Sequence, residues 1–131
     1  MNYIVASISK IQSVDSINVV SFTAEGHTLK MMSLELDESL ETGAKVSLGV
    51  KSTNVSLSKS FNAELSISNQ LPSKIVSVES GALLCRVKMR FLDTELESLI
   101  TKDSALRMNL EKGDEVLALI KSSELSIAEV L

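Results

Sequence analysis

Hydrophobic and polar residues alternate at a period of two through much of this chain, the pattern of strands with one face buried. The cleanest stretch is 83–91, where Leu83, Cys85, Val87, Met89 and Phe91 fall on one face and Arg86, Lys88 and Arg90 on the other. The alternation predicts strands at 8–11, 18–24, 28–32 and 46–50, and again at 74–78, 83–91, 95–100 and 116–120. Glu25-Gly26-His27, Glu79-Ser80-Gly81 and Asp93-Thr94 supply the turns. Two short helical turns are expected, one from Ser33 to Leu36 and one over 104–109. For the second, Thr101 or Asp103 can cap the free amides. Gly113 ends the turn that follows.

The same pattern is written twice. Leu40-Glu41-Thr42-Gly43-Ala44-Lys45-Val46 recurs as Leu110-Glu111-Lys112-Gly113-Asp114-Glu115-Val116. Val50-Lys51-Ser52-Thr53 recurs as Ile120-Lys121-Ser122-Ser123, at the same offset of 70 (110 − 40). Earlier in the unit the offset is 67 (75 − 8), which places a three-residue difference near the hairpin at Asp93. A duplicated unit is therefore expected, divided as 1–60, the more degenerate copy, and 61–131, with a linker at 58–63. A sheet of about five short strands removes its edges by closing on itself. The fold class expected is all-β: two tandem OB-like five-stranded Greek-key barrels, each with one short helical turn. Units this small need tandem packing or oligomerisation to bury enough surface.

Composition narrows the function. Among 131 residues, 13 are basic and 17 acidic, giving a net charge of −4, and no basic face suited to duplex nucleic acid stands out. Aromatic residues are confined to Tyr3, Phe22, Phe61 and Phe91, too few for a base-stacking platform. No apolar run would span a bilayer, and the N-terminus lacks the pattern of a signal peptide. The single cysteine, Cys85, rules out an intrachain disulfide and fits a cytoplasmic location. Cys85 reads as core and His27 as an exposed turn residue; neither suggests catalysis or a metal site. Asp93, Glu95 and Glu97 read as a solvated strand edge.

The chemistry on offer lies in the repeated Lys-Ser clusters. Lys51, Ser52 and Thr53, and Lys121, Ser122 and Ser123, follow directly on the last strand of each unit. An ammonium, two hydroxyls and nearby backbone amides can surround a small oxyanion. Ser66, Ser68 and Asn69, just before the second unit, add two more hydroxyls and an amide. These motifs contain no carboxylate, so they suit a fully deprotonated tetrahedral dianion; sulfate, molybdate and tungstate all qualify.

The segments Ser66-Ile67-Ser68-Asn69-Gln70-Leu71, Ser80-Gly81-Ala82, Leu99-Ile100-Thr101-Lys102-Asp103-Ser104, Leu110-Glu111-Lys112-Gly113 and Ala118-Leu119-Ile120-Lys121-Ser122-Ser123 resemble the molbindin family, the molybdenum-binding Mop or TOBE domains. The resemblance covers 64–127 and, more faintly, 40–57, as in a tandem di-Mop protein. It implies molybdate or tungstate as the bound ligand, held by hydrogen bonds with no directly coordinated metal, no catalytic residue and no organic cofactor. It also implies a homo-oligomer, a trimer in preference to a dimer, with no nucleic-acid or membrane partner. Ser66 and Asn69 match the ends of the family's Ser-Ala-Arg-Asn segment, while Ser68 stands where the family has arginine. In the first unit only Met1 precedes Asn2, so the corresponding segment is nearly absent and a half-site is expected. The function implied is storage or homeostasis of the oxyanion. The alternatives are a ligand-sensing regulatory module, or a structural oligomerisation module that has lost its ligand.

Overall fold

The computed structural model describes residues 1–131. Ten strands form: β1 (Asn2–Val14), β2 (Ile17–Ala24), β3 (His27–Ser33), β4 (Lys45–Val50), β5 (Ser56–Ser58), β6 (Asn69–Ser80), β7 (Leu84–Phe91), β8 (Thr94–Thr101), β9 (Glu115–Ile120) and β10 (Ser126–Val130). One helix, α1 (Lys102–Arg107), and one 3-10 turn (Ser52–Asn54) complete the chain. The strands make two antiparallel five-stranded sheets, ordered β10-β4-β1-β2-β3 and β5-β9-β6-β7-β8. The fold is all-β and OB-like in both units.

The strand that opens each unit is long because it serves two neighbours. Its first half pairs β1 with β4 from Asn2↔Val50 to Ser7↔Lys45, and its second half pairs β1 with β2. A bulge between Ile8 and Lys10 bends the strand where the partner changes, and β6 carries the matching bulge between Ile75 and Ser77. Pro72 lies on β6 before its pairing with β7 begins at Lys74, where only β9 flanks it.

Each unit donates its last strand to the other. β5 leaves the first unit and pairs with β9, while β10 leaves the second and pairs with β4. The strand exchange crosses the expected 60/61 division, so the first sheet takes 126–130 and the second takes 56–58. These strands are short and weakly alternating, with little periodicity to announce them. The exchange leaves one core: residues of both sheets, from Ile4 and Phe22 to Phe91 and Ile120, belong to a single buried cluster. Within the expected linker, 58–63, Lys59 is tied to the second unit: its Nζ donates to the Asn109 carbonyl at 3.0 Å and pairs with Asp114 at 3.5 Å.

Two expectations are corrected. No helix follows β3 in the first unit. Both strands of the β2–β3 hairpin keep the 67-residue offset (84 − 17 and 94 − 27), while β4 and β9 are offset by 70 (115 − 45). The three-residue difference therefore lies after the hairpin, in the segment that carries α1, and not near Asp93. With three residues fewer, 34–44 turns instead of coiling. Ser33 exchanges side-chain bonds with the Glu35 backbone, and Asp37 Oδ1 accepts from Ser39 N at 2.9 Å and Ser39 Oγ at 2.8 Å. Such local side-chain bonds compete with helical ones. In the second unit Thr101 caps α1, its hydroxyl accepting from Ser104 N at 3.2 Å.

Candidate functional site

The two Lys-Ser clusters are the crossover points of the exchanged strands. Lys51, Ser52 and Thr53 link β4 to β5; Lys121, Ser122 and Ser123 link β9 to β10. Each is a tight turn, with Asn54 N donating to the Lys51 carbonyl and Glu124 N to the Lys121 carbonyl, both at 2.9 Å. The turns touch each other: Asn54 Nδ2 donates to Glu124 Oε2 at 2.9 Å. Asn54 and Glu124 are equivalent positions (124 − 54 = 70), so the two clusters meet where the units are related.

Strand register brings the second element alongside. Asn69 opposes Ile120, and continuing the antiparallel register sets Ser68 beside Lys121. Ser66, Ser68, Lys121 and Ser123 are exposed, Ser122 is half-buried and Asn69 is fully buried. The backbone of Ser122 is held by Met32 N, which donates to its carbonyl at 2.9 Å. Five of the expected residues thus lie on adjoining segments, and Asn69 anchors them.

Asn69 joins the units. Its Oδ1 accepts from Lys30 N at 2.7 Å and its Nδ2 donates to the Lys30 carbonyl at 2.9 Å. The side-chain amide thereby pairs with β3, an edge of its sheet, as a strand residue would. Asn2, 67 residues earlier (69 − 2), does the same to β8: Glu97 N donates to Asn2 Oδ1 at 2.7 Å and Asn2 Nδ2 donates to the Glu97 carbonyl at 2.8 Å. Lys30 and Glu97 are themselves 67 apart (97 − 30), so they hold equivalent positions in the two units. Sequence reasoning missed Lys30, Asn2 and Glu97 in these places. The 67-residue offset, applied to every polar position, pairs them.

The two turns then differ. Ser52 Oγ donates to Glu97 Oε2 at 3.0 Å, and Glu97 Oε1 is paired with Arg86 Nε at 2.7 Å. Glu97 is half-buried and committed to the first turn, so it is not the solvated edge expected of the 93–97 run. Lys30 is the residue equivalent to Glu97 in the other unit, and neither Lys30 nor Lys121 enters an ion pair. Of two grooves that take in Ser123, one of about 480 Å³ is lined by Glu35, Asp37 and Glu129 and the other by Glu35, poor linings for an anion. His27 is half-buried, its ring edge-on to Phe91 of the second unit at 5.3 Å, and Cys85 lies in the core.

Comparison with known proteins agrees with this architecture. Residues 65–127 match the TOBE domain. A solved structure of the cytoplasmic molybdate-binding protein ModG, with molybdate bound, superposes with a TM-score of 0.89 at 26% identity, over 95% of this chain and 93% of that one. The chain is also similar to two molybdate/tungstate import ATP-binding proteins, both WtpC. Identity is 23% over 110 residues with that of Pyrococcus abyssi (strain GE5 / Orsay) and 22% over 110 residues with that of Pyrococcus horikoshii (strain ATCC 700860 / DSM 12428 / JCM 9974 / NBRC 100139 / OT-3). In both cases the match covers 84% of this chain and 32% of the relative, so the chain spans about a third of those proteins' length. The TOBE match and the likeness to ModG mark the tandem OB-like units as a binding module. Residues 65–127 carry a TOBE domain, and the fold of the chain as a whole is similar to that of molybdate-bound ModG.

Proposed function

We propose that this protein binds molybdate or tungstate at the 121–123 turn and serves as a cytoplasmic store or buffer of the oxyanion. The observation that carries this reading is the register that sets Ser68 beside Lys121, an ammonium outside any ion pair, at a turn whose half-buried Ser122 is pinned by Met32 N. Ser66 and Ser68 lie on the adjoining segment, and Ser123 completes the turn. The carboxylate of that turn, Glu124, is engaged by Asn54, and the remaining groups offer donors, which suits a dianion that only accepts. The similarity to molybdate-bound ModG over most of both chains supports the ligand class.

The exposed side of Ser66, Ser68 and Lys121 leaves room for a second copy of the chain to close the site. A homo-oligomer, a trimer in preference to a dimer, is part of the proposal. The absence of the family's arginine at Ser68 is offset in this reading by Lys30, which supplies a cation from the other unit.

A second reading, a ligand-sensing regulatory module, is favoured by the similarity to the importer ATP-binding proteins. Titration calorimetry with molybdate, tungstate, sulfate and phosphate tests the binding itself. Saturable binding of molybdate or tungstate, lost in Lys121→Ala, is expected. No heat and no thermal stabilisation by any of the four would leave a structural oligomerisation module. A store fills several sites per oligomer, whereas a sensor alters a partner's affinity on binding.

A further inference from the structure

We propose that Glu97 is a built-in anion that fills the 51–53 turn, so the two related turns are unequal and only the 121–123 turn is open to an external oxyanion. The inference rests on the binding reading above for the second turn and goes beyond it for the first. Around Glu97 stand the parts of an oxyanion site. Its Oε2 accepts a hydrogen bond from Ser52 Oγ at 3.0 Å, and its Oε1 pairs with Arg86 Nε at 2.7 Å. Lys51 and the Thr53 hydroxyl belong to the same turn. The carboxylate thus presents two oxygens and a negative charge to a hydroxyl and a guanidinium, contacts that two oxygens of a tetrahedral dianion would otherwise make.

Its position is fixed rather than incidental. Asn2 holds the Glu97 backbone through both its N–H and its carbonyl, at 2.7 and 2.8 Å. Ser98 Oγ next to it donates to the Val55 carbonyl at 2.5 Å, tying β8 to the residue that follows the 3-10 turn. A carboxylate tethered in this way competes with free oxyanion as an intramolecular ligand at high effective concentration. Other charges near it do not alter the assignment. Arg86 also lies 3.8 Å from Glu79, which Lys88 approaches at 3.9 Å, and those contacts lie on the exposed side of β7. In the other unit the residue equivalent to Glu97 is Lys30, its backbone held by Asn69 as that of Glu97 is held by Asn2; a cation in that position would attract an anion instead of replacing one. Glu124, the carboxylate of that turn, is engaged by Asn54.

Neutralising Glu97 should therefore open the first turn. Glu97→Gln keeps an acceptor for Ser52 and Arg86 and removes the charge; Glu97→Ala removes both. Equilibrium dialysis with molybdate, with folding of each variant checked by circular dichroism and urea denaturation, counts oxyanions bound per chain in the intact protein. The expected result is an additional oxyanion per chain in Glu97→Gln or Glu97→Ala relative to the unsubstituted protein, and loss of that additional site in the Glu97→Gln, Ser52→Ala double variant. An unchanged count in both folded single variants overturns the inference. If the unsubstituted protein still binds through Lys121 in that case, the binding reading stands and only the role of Glu97 falls. If no form binds, both fall.

Discussion

Asn69→Ala should destabilise the fold far more than the loss of one small polar side chain suggests. Asn69 is 0% exposed, and its amide makes two hydrogen bonds to Lys30, at 2.7 and 2.9 Å, across the boundary between the units. Each such bond contributes about 1 kcal/mol net, and the Lys30 N–H and carbonyl left behind lose a partner in a part-buried place. Lys30 itself is exposed, so water recovers some of that loss. The net expectation is about 2–3 kcal/mol. For a chain of this size that corresponds to a fall in Tm of roughly 8–12 °C. Urea denaturation at fixed protein concentration measures it. Asn2→Ala should cost a similar amount, because its two bonds to Glu97 have the same geometry. Asn69→Asp should be worse than alanine at neutral pH, since a carboxylate cannot donate to the Lys30 carbonyl and faces it with like charge. Asn62→Ala, at an exposed position, is the control and should stay within about 0.5 kcal/mol of the parent. A loss at Asn69 no larger than at Asn62 would refute the argument that side-chain amides hold the two sheets together.

Two further outcomes are expected. Gly113 has φ +92° with open space where a Cβ would point, so Gly113→Ala should cost about 1–2 kcal/mol through backbone strain alone, measured by urea denaturation; the related Gly43, at φ +90°, should behave alike. The Asp37 carboxyl is held below its ordinary value of 3.8 by the Ser39 N–H first and the Ser39 hydroxyl second. Because the folded value lies below the unfolded one, its stabilising contribution is complete above pH 3.8 and disappears as pH falls through the folded value. An NMR titration of Asp37 should give a midpoint below 3.8 that rises in Ser39→Ala; a native midpoint at or above 3.8 would contradict this.

Much of the fold was legible in the sequence because burial on one face imposes a period of two, as in β7, where Cys85, Val87, Met89 and Phe91 are all buried. The repeat of Leu-Glu-x-Gly and Lys-Ser located both crossover turns. The exchange of β5 and β10 was not legible. Three- and five-residue strands with half-exposed side chains carry no periodic signal, and which sheet they join is decided by the course of the turn before them. The helix after β3 was mislaid for a related reason: three residues were counted as missing from a hairpin when they are missing from the segment that coils in the other unit. Of the candidate site, the donors were legible as types. Their inequality was not, because Lys30 and Glu97 lie on strands whose alternation says only that these side chains point away from the core. The contact of Glu97 with the turn of the opposite unit follows from packing the units together through Asn2.

The most direct test of the account is a crystal structure of the protein grown with tungstate, with the metal located by anomalous scattering. The account predicts a peak beside Lys121 and Ser122, on the side of Lys30, with Glu97 still bonded to Ser52 and no peak within the 51–53 turn. Equal peaks in both turns, or a peak only elsewhere on the molecule, would contradict it.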